Sequence, residues 1–327
     1  MRAPKLSLIV TSYDKERLND ISDLLVSLSR QKERDFELIY VTERDKSLVV
    51  SIEKIAYGLG LDPKLKHNAG PQGLSEARNL GLSMAHGEIV AFVDDDVVLS
   101  DTWTTCVIST FSTYKKAVCV TGPAHPLWVG RPLSWFPTDL DWLIGSTRWF
   151  RANGPVRVPN CWGMNMAFRR KALVQIGGFS STSREKSRYV RANQSLLSKE
   201  EQRTEHGLMA EDVEVSLRLL SHGLGEIYYI PCLLVRNKVY GYRLSRRYVA
   251  QRASWVGYSR RNFGRLTGRS GTTARFEPAL LTSLVRSLFG AREIWKLGLR
   301  QNLSRYSIII LGLSSLAIGY IFGPLED

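Results

Sequence analysis

The segment from Glu88 to Ser100 constrains the fold of this chain more than any other, because it joins a short apolar run to a cluster of carboxylates. The apolar run, Ile89–Val93, follows Gly87 and has the length of a buried strand rather than a helix. Strands buried on both faces belong to parallel sheets, which bind ligands beyond the carboxyl ends of their strands. Three carboxylates follow the run at that point: Asp94, Asp95 and Asp96. Carboxylates this close repel one another unless a cation neutralises them, so the segment predicts a Mg²⁺ or Mn²⁺ site shared with a substrate diphosphate. The alternative is a solvated acidic turn.

The segments before this one predict an α/β fold. Leu6–Tyr13 and Phe36–Thr42 have the composition of buried strands. A segment between them repeats apolar residues at i, i+3, i+4 and i+7, which is typical of an amphipathic helix. The residues of this stripe are Ile21, Leu24, Leu25 and Leu28. Strands alternating with helices predict right-handed crossovers and a mostly parallel sheet.

Three other segments carry groups suited to an anionic ligand or to proton transfer. The turn Gly70–Gly73 precedes a predicted helix, whose free N–H groups would face an anion, and Arg78 and Asn79 lie one turn into that helix. The pair Glu211-Asp212 opens another predicted helix, either as dipole partners or as a general base. The polar stretch from Ser180 to Gly207 predicts a mobile loop over the site.

The composition is that of a globular protein, with 44% hydrophobic and 23% charged residues in a chain of 327. The four cysteines are scattered without a C-x-x-C pair, which argues against a zinc site and against a disulfide framework and favours a reducing compartment. No signal peptide is apparent at the amino terminus. The catalytic part is therefore expected in the cytoplasm.

The positive charge of the chain is concentrated in residues 236–305, which contain sixteen Lys and Arg and two acids, whereas the remainder holds 29 of each sign. Nucleic acid is the first partner that such a segment suggests. The next twenty residues, 306–325, carry no charge and are long enough to span a bilayer. Basic residues beside an apolar span favour anionic lipid instead, so no nucleic-acid partner is expected. An interfacial helix and a buried core helix are the alternatives to a span.

Five segments of the chain resemble, in order, those of the inverting family-two glycosyltransferases, over about Leu6–Arg260. The segments are LSLIVTSYDK, NAGPQGLSEARNLG, FVDDD, WGMNMAFRRKALVQIGGF and AEDVEVSLRL. The resemblance implies the GT-A fold, a Rossmann-like, mostly parallel sheet flanked by helices. The predicted domains are a GT-A catalytic domain (1–235), a basic amphipathic segment near the membrane (236–305) and a transmembrane helix (306–325).

The resemblance also implies a role for each matched residue. Asp94 and Asp96 would hold a divalent metal, Mn²⁺ or Mg²⁺, and Asp95 would lie near the ribose–diphosphate. The other donor-binding residues would be Tyr13 and Glu43 at the base, Arg78 and Asn79 near the nucleotide, and Gly163 and Asn165 near the sugar. Asp212 would be the general base, and Glu211 would help to bind the acceptor. Thr42-Glu43-Arg44 departs from the family's acidic-acidic-small run, so the identity of the nucleotide base, uracil or guanine, is left open.

The implied reaction is the transfer of one sugar from a nucleotide-diphosphate sugar, with inversion, to a lipid-linked acceptor. Gln251-Arg252 with Trp255 only partly matches the Q-x-x-R-W element of processive synthases, since Ser254 replaces the arginine. A polyprenyl phosphate or a glycolipid at the cytoplasmic face of the cell membrane is the expected acceptor. The alternatives are a polysaccharide or cell-envelope glycosyltransferase with another acceptor, a nucleotidyltransferase, and a noncatalytic membrane adaptor.

Overall fold

The computed structural model describes residues 4–130, 133, 136–180, 211–266 and 299–322. The strands are β1 (Leu6–Ser12), β2 (Phe36–Thr42), β3 (Pro63–His67), β4 (Ile89–Asp94), β5 (Val97–Leu99), β6 (Ala117–Thr121), β7 (Ala124–Val129), β8 (Val156–Arg157), β9 (Asn165–Arg169), β10 (Glu226–Tyr229) and β11 (Val235–Tyr240). The α-helices are α1 (Leu18–Ser29), α2 (Ser47–Gly58), α3 (Leu74–Met84), α4 (Trp103–Thr113), α5 (Arg170–Gln175), α6 (Glu211–Ser221), α7 (Arg246–Leu266) and α8 (Leu299–Phe322). Short 3-10 helices cover Lys15–Arg17, Thr138–Ile144 and Gly241–Leu244. The predicted mobile loop lies outside the described residues, apart from Ser180.

The main sheet has eight strands in the order β3-β2-β1-β4-β9-β6-β10-β8. The first four strands in this order, β3, β2, β1 and β4, are all parallel to one another. Strand β6 is parallel to β10. Strand β9 runs antiparallel to both β4 and β6. The predicted mostly parallel α/β architecture is therefore confirmed, with two reversed strands, β9 inside the sheet and β8 at its edge.

The central strands are buried because helices cover the sheet. In β4 every residue from Ile89 to Val93 is buried. The predicted stripe of α1 is confirmed, since its four apolar side chains are fully buried in the same core cluster as β1. A packed sheet of this kind fixes the position of each strand end, and therefore of the side chains that follow it.

The structure contains a disulfide that the scattered cysteines argued against, because Cys106 in α4 is bonded to Cys232 after β10. The two residues are 126 positions apart in the sequence, so no local spacing marks them as a pair. Cys119 and Cys161 are free and buried. The bond therefore closes a long loop of the chain, from α4 to the residues after β10.

We expect the double variant Cys106→Ser, Cys232→Ser to unfold more easily than the native chain. Opening a covalent loop of this length restores conformational freedom to the unfolded chain, which costs about 2–5 kcal/mol of stability. Urea unfolding of the two proteins with and without reductant measures the difference. Reductant should lower the midpoint of the native chain alone, and an equal response in the variant would contradict the assignment.

The chain forms two compact units, Met1–His125 with Ala152–Lys238, and Pro126–Arg151 with Val239–Asp327. The first unit contains the whole main sheet. The second has its own core, in which the 3-10 helix Thr138–Ile144 packs against α7 and α8. By length and composition, Arg300–Phe322 could cross a membrane. The predicted boundaries at 235 and 305 stay a prediction.

Candidate active site

The parallel register brings the ends of three strands to one edge of the main sheet. Thr11 in β1 lies opposite Asp94 in β4, and Ser12 lies opposite Thr42 in β2. Because parallel strands end on the same side, the residues after these strands meet at this edge. The strand-end groups predicted from the sequence therefore lie in one region of the first unit.

The three consecutive aspartates have different surroundings. The Asp94 side chain is 40% exposed, whereas those of Asp95 and Asp96 are each 5% exposed. Asp95 accepts hydrogen bonds from Ser12 Oγ at 2.6 Å and from Arg17 Nη1 at 2.7 Å. Asp96 lies 3.5 Å from the same Arg17 nitrogen. Asp94 therefore presents the most accessible carboxylate of the three.

The carboxyl group of Asp94 has a perturbed pKa. Desolvation, together with repulsion from Asp96 and Asp95, raises the pKa of Asp94 to about 6, although Arg78 acts in the opposite direction. A cation that approaches the exposed side of Asp94 would stabilise the ionised form of this carboxyl group. The electrostatics of the strand end therefore favour a positively charged ligand.

Arg78 joins the aspartate cluster to the start of α6. Its guanidinium is buried and donates to Glu211 Oε1 at 2.8 Å, to the Gly163 carbonyl at 3.0 Å and to Asp94 Oδ1 at 3.3 Å. Its guanidinium carbon also lies 5.5 Å from the centre of the Phe179 ring. One side chain thus fixes three segments that are far apart in the sequence.

Asp212 is held beside this arginine by backbone groups. Its Oδ2 accepts from the Gly163 N–H at 2.9 Å, and its Oδ1 accepts from the Val213 N–H at 2.9 Å. Burial raises the pKa of the Asp212 carboxyl, while these N–H groups and Arg78 oppose the shift. A carboxylate with a raised pKa and a fixed orientation is suited to act as a general base.

Gly163 is surrounded by side chains of the site. A methyl group at this position would lie 3.1 Å from Glu211 Oε1, 3.6 Å from Asp212 Oδ2 and 3.7 Å from Arg78 Nη2. The absence of a side chain lets the turn approach all three groups, with its N–H and C=O both engaged. The turn before β9 is therefore part of the site.

Two arginines that the sequence did not single out lie against Tyr13. The guanidinium carbons of Arg17 and Arg44 are 5.5 and 5.2 Å from the centre of the Tyr13 ring. Arg44 adopts a φ of 57°, a left-handed conformation that is uncommon for a residue with a side chain. Arg44 lies two residues after β2 and Arg17 ends the 3-10 helix that follows β1, and this nearness to a strand end is the sequence signal that could have identified them.

Glu43 is engaged within the protein. Its carboxylate accepts from Asn68 Nδ2 at 2.7 Å and from the Gly73 N–H at 3.1 Å. Burial raises the pKa of Glu43, and these two hydrogen bonds counteract the effect. In this structure Glu43 holds the glycine turn before α3, the same turn that was predicted to face an anion.

The two predicted asparagines contact protein groups rather than an open surface. Asn79 exchanges two hydrogen bonds with the backbone of Phe179, at 2.7 and 2.8 Å. Asn165 is fully buried, accepting from Trp103 Nε1 at 3.0 Å and donating to the Leu233 carbonyl at 2.6 Å. The enclosed amide of Asn165 holds β9 in place, and a contact of this residue with the donor sugar stays a prediction.

The described residues contain no group of three or more His, Cys, Asp or Glu arranged to hold a metal ion. A site of one or two carboxylates completed by substrate phosphates remains compatible with that result, since Mg²⁺ is usually bound in this way. The exposed carboxylate of Asp94 and its raised pKa fit such a cation.

A family model supports what the geometry suggests. The model described as "Glycosyl transferase family 2" matches residues 7–177, more than half of the chain. The chain belongs to glycosyl transferase family 2. It is a glycosyltransferase with the GT-A fold, as the resemblance in its sequence implied.

Similar proteins align with almost the whole chain. The sequence is 24% identical to the "Glucosyl-dolichyl phosphate glucuronosyltransferase" of Haloferax volcanii over 98% of this chain and 96% of that protein. The fold resembles a Pyrobaculum calidifontis mannosyltransferase, solved with GDP-Man and Mn²⁺, with a TM-score of 0.58, 14% identity, and coverage of 99% and 89%. It also resembles the Staphylococcus aureus protein TarS, with a TM-score of 0.51, 15% identity, and coverage of 97% of this chain and 54% of TarS.

Proposed function

We propose that this family-two glycosyltransferase transfers one sugar from a nucleotide-diphosphate sugar to a lipid-linked acceptor, with inversion at the anomeric carbon. The observation that carries the proposal is the Arg78 network, which brings the strand-end carboxylate of Asp94 together with Glu211 and the Asp212 turn. The proposed site of the donor diphosphate therefore lies next to the proposed general base. Inversion requires one displacement and no covalent nucleophile, and the proposed roles include none.

Asp212 is the proposed general base. Its carboxylate would take the proton of an acceptor hydroxyl as that oxygen attacks the anomeric carbon and the nucleoside diphosphate departs. The N–H groups of Gly163 and Val213 hold both oxygens of Asp212 in fixed positions, which reduces the reorganisation needed for proton transfer. Glu211, oriented by Arg78, is placed to bind the acceptor.

Asp94 and Asp96 are the proposed ligands of a divalent cation, Mn²⁺ or Mg²⁺. When bound, such a cation stabilises the negative charge that develops on the leaving diphosphate. Asp94 is the accessible ligand, while Asp96 lies beside Arg17. The mannosyltransferase of similar fold was solved with Mn²⁺, which supports the choice of cation.

The nucleotide is proposed to bind where Tyr13, Arg17 and Arg44 meet. An aromatic ring offers a stacking surface for a base, and guanidinium groups pair with phosphate oxygens. Asp95 stands between the two proposed metal ligands in the sequence, and it is bound by Ser12 and by Arg17 of this group. Glu43 and Asn68 support the adjoining glycine turn.

The acceptor is proposed to be a polyprenyl phosphate or a sugar carried on one. The Haloferax volcanii relative is named for a glucosyl-dolichyl phosphate substrate and aligns over nearly its full length. The apolar helix α8 and the basic residues before it support attachment at the membrane where such lipids reside, with the catalytic unit on the cytoplasmic side.

A thermal-shift panel followed by a transfer assay tests this function. Uridine and guanosine diphosphates and their sugar conjugates, each with Mn²⁺ or with EDTA, should separate into one stabilising series and one inert series. At a ligand concentration of about 100 times the Kd, the stabilisation should approach about 2.7 kcal/mol, and EDTA should remove most of it. The active donor is then incubated with polyprenyl phosphate or glucosyl-polyprenyl phosphate. Release of pyrophosphate from a nucleoside triphosphate, without sugar transfer, would contradict the proposal.

A further inference from the structure

Helix α8 exposes apolar side chains along its outer face. Its large exposed side chains, between 54 and 76% accessible, are Leu303, Ile310, Ile318, Ile321 and Phe322. The opposite side of the helix is also apolar, with Ile308 and Ile309 buried in the core of the second unit. A helix that packs against a protein in water usually carries polar side chains on its outer face, whereas the outer face of α8 is largely apolar. The exposed side of α8 therefore fits an apolar surrounding.

The other side of α8 is covered by α7 at close range. A side chain added at Gly257 in α7 would collide with the Leu316 carbonyl, and one added at Gly319 in α8 would collide with the backbone of Ser254. Small residues that let two helix backbones touch make a tight pair. The two helices consequently behave as one element.

Helix α7 runs parallel to α8 along most of its length. Arg246 Nη2, at the start of α7, donates to Ser307 Oγ in the first half of α8 at 3.0 Å, and Arg261 Nη1 donates to the Ile321 carbonyl near the end of α8 at 2.6 Å. Fifteen residues of helix separate the two arginines, or about 22 Å. Arg252 lies between them, so α7 carries a positive charge at both ends and in the middle.

This pairing is incompatible with an isolated membrane span. If α8 crossed a bilayer with α7 attached, Arg252 would enter the hydrocarbon region, where arginine is strongly disfavoured. A pair lying along the surface meets no such difficulty, because arginines reach the head groups while apolar side chains enter the acyl chains. The charge also selects the kind of surface, since residues 236–305 hold sixteen Lys and Arg against two acids.

We propose that α7 and α8 bind an anionic lipid bilayer as a parallel pair lying in the plane of the membrane, with the exposed face of α8 in the acyl chains. This arrangement replaces the single span expected from the sequence. It deepens the membrane attachment named in the proposed function, but it concerns the second unit alone and its test does not depend on catalysis.

Binding of the full chain to sealed vesicles tests the lipid face. Vesicles of phosphatidylcholine mixed with phosphatidylglycerol should bind the native chain, and pure phosphatidylcholine should bind it more weakly. Ile310→Glu and Ile318→Glu should each weaken binding about tenfold or more, because a large apolar side chain would be replaced by a charge. Val50→Glu is the matched control, since Val50 is a 67% exposed apolar residue on α2. Equal loss of binding in all three variants, or in none, would overturn the proposal.

Labelling of single cysteines tests the orientation. In inverted membrane vesicles that contain the full chain, an impermeant maleimide should label Gln301→Cys and Asp327→Cys alike before detergent is added. Labelling of Asp327→Cys only after detergent would establish a span and overturn the in-plane arrangement. The native chain measures the background from its own cysteines.

Two further readouts separate the remaining outcomes. A dimer in solution that Ile310→Glu dissociates, with vesicle binding unchanged, would assign the face to a second copy of the chain and overturn the lipid assignment. The thermal shift of Ile310→Glu with nucleoside diphosphate and Mn²⁺ should equal that of the native chain. A failed membrane test with an intact nucleotide shift therefore counts against this inference and not against the proposed enzyme.

Discussion

The Asp212→Asn variant is expected to bind the nucleotide donor like the native enzyme and to transfer sugar about a thousandfold more slowly to a hydroxyl acceptor, within the range typical of a lost general base. An asparagine side chain retains an oxygen that can accept from the Gly163 N–H, so the turn should keep its position. The asparagine amide, however, cannot take the proton of the acceptor hydroxyl. The loss should therefore appear in kcat, with the KM for the donor nearly unchanged.

The native enzyme should also show a pH dependence that this variant lacks. Because burial raises the pKa of Asp212, the carboxyl becomes protonated at a higher pH than an ordinary aspartate does. Transfer by the native enzyme should fall as the pH falls through that raised pKa, and the residual activity of Asp212→Asn should not follow the same titration. Rate profiles with saturating donor measure both.

Asp62→Asn is the matched control for this experiment, since Asp62 is an exposed residue before β3. A control variant with full activity shows that the change of residue type is harmless by itself. The acceptor provides a second comparison, because a phosphate acceptor is already ionised and needs a base less. Native transfer rates of Asp212→Asn to a hydroxyl acceptor would refute the assignment of the base.

The second large effect is expected at Arg78. Arg78→Lys keeps the positive charge but cannot reproduce the planar fork that reaches Glu211, Asp94 and Gly163 together. We expect kcat to fall by about a hundredfold, since a displacement of about 1 Å in a catalytic group has effects of that size. The donor KM should change less than kcat.

Arg78→Met should have an additional effect on stability. Removing the guanidinium leaves the buried Glu211 carboxylate without its charged partner, which costs about 3–5 kcal/mol in comparable buried pairs. Adding Glu211→Gln should recover part of this loss, and urea unfolding of the two single variants and the double variant measures the coupling. The control is Arg30→Lys, at an exposed arginine after α1. An Arg78→Lys enzyme with native kcat would show that the Arg78 network has no role in transfer.

The parts of the site that could be predicted are those formed by residues that lie close together in the sequence. The run before Asp94 identifies a buried strand by its length and composition, and the register of parallel strands then places Tyr13 and Glu43 at the same edge. The Glu211-Asp212 pair could be named from its motif. Its contact with Arg78, 133 residues earlier, depends on packing that no local pattern encodes.

The remaining features could not be predicted for the same reason. Cys106 and Cys232 have no local spacing that marks a bond, and the paired asparagine contacts depend on backbone groups whose positions arise only in the folded chain. Helix α8 shows the limit most clearly. Its composition indicates an apolar segment, but the partner that covers one side of it is a helix rich in arginine, which changes how the segment can meet a membrane.

The aspartate triplet is divided between two arginines, with Arg17 on Asp95 and Asp96 and Arg78 on Asp94. The first arginine belongs to the group around Tyr13, and the second to the group around Asp212. Under the proposed roles, Tyr13 and Arg44 bear on the choice of nucleotide alone, whereas Arg17 also contacts Asp96 and so bears on the proposed metal ligands. Exchange of residues 13 and 44 should accordingly change donor preference while the contacts of Arg78 and Asp212 stay in place.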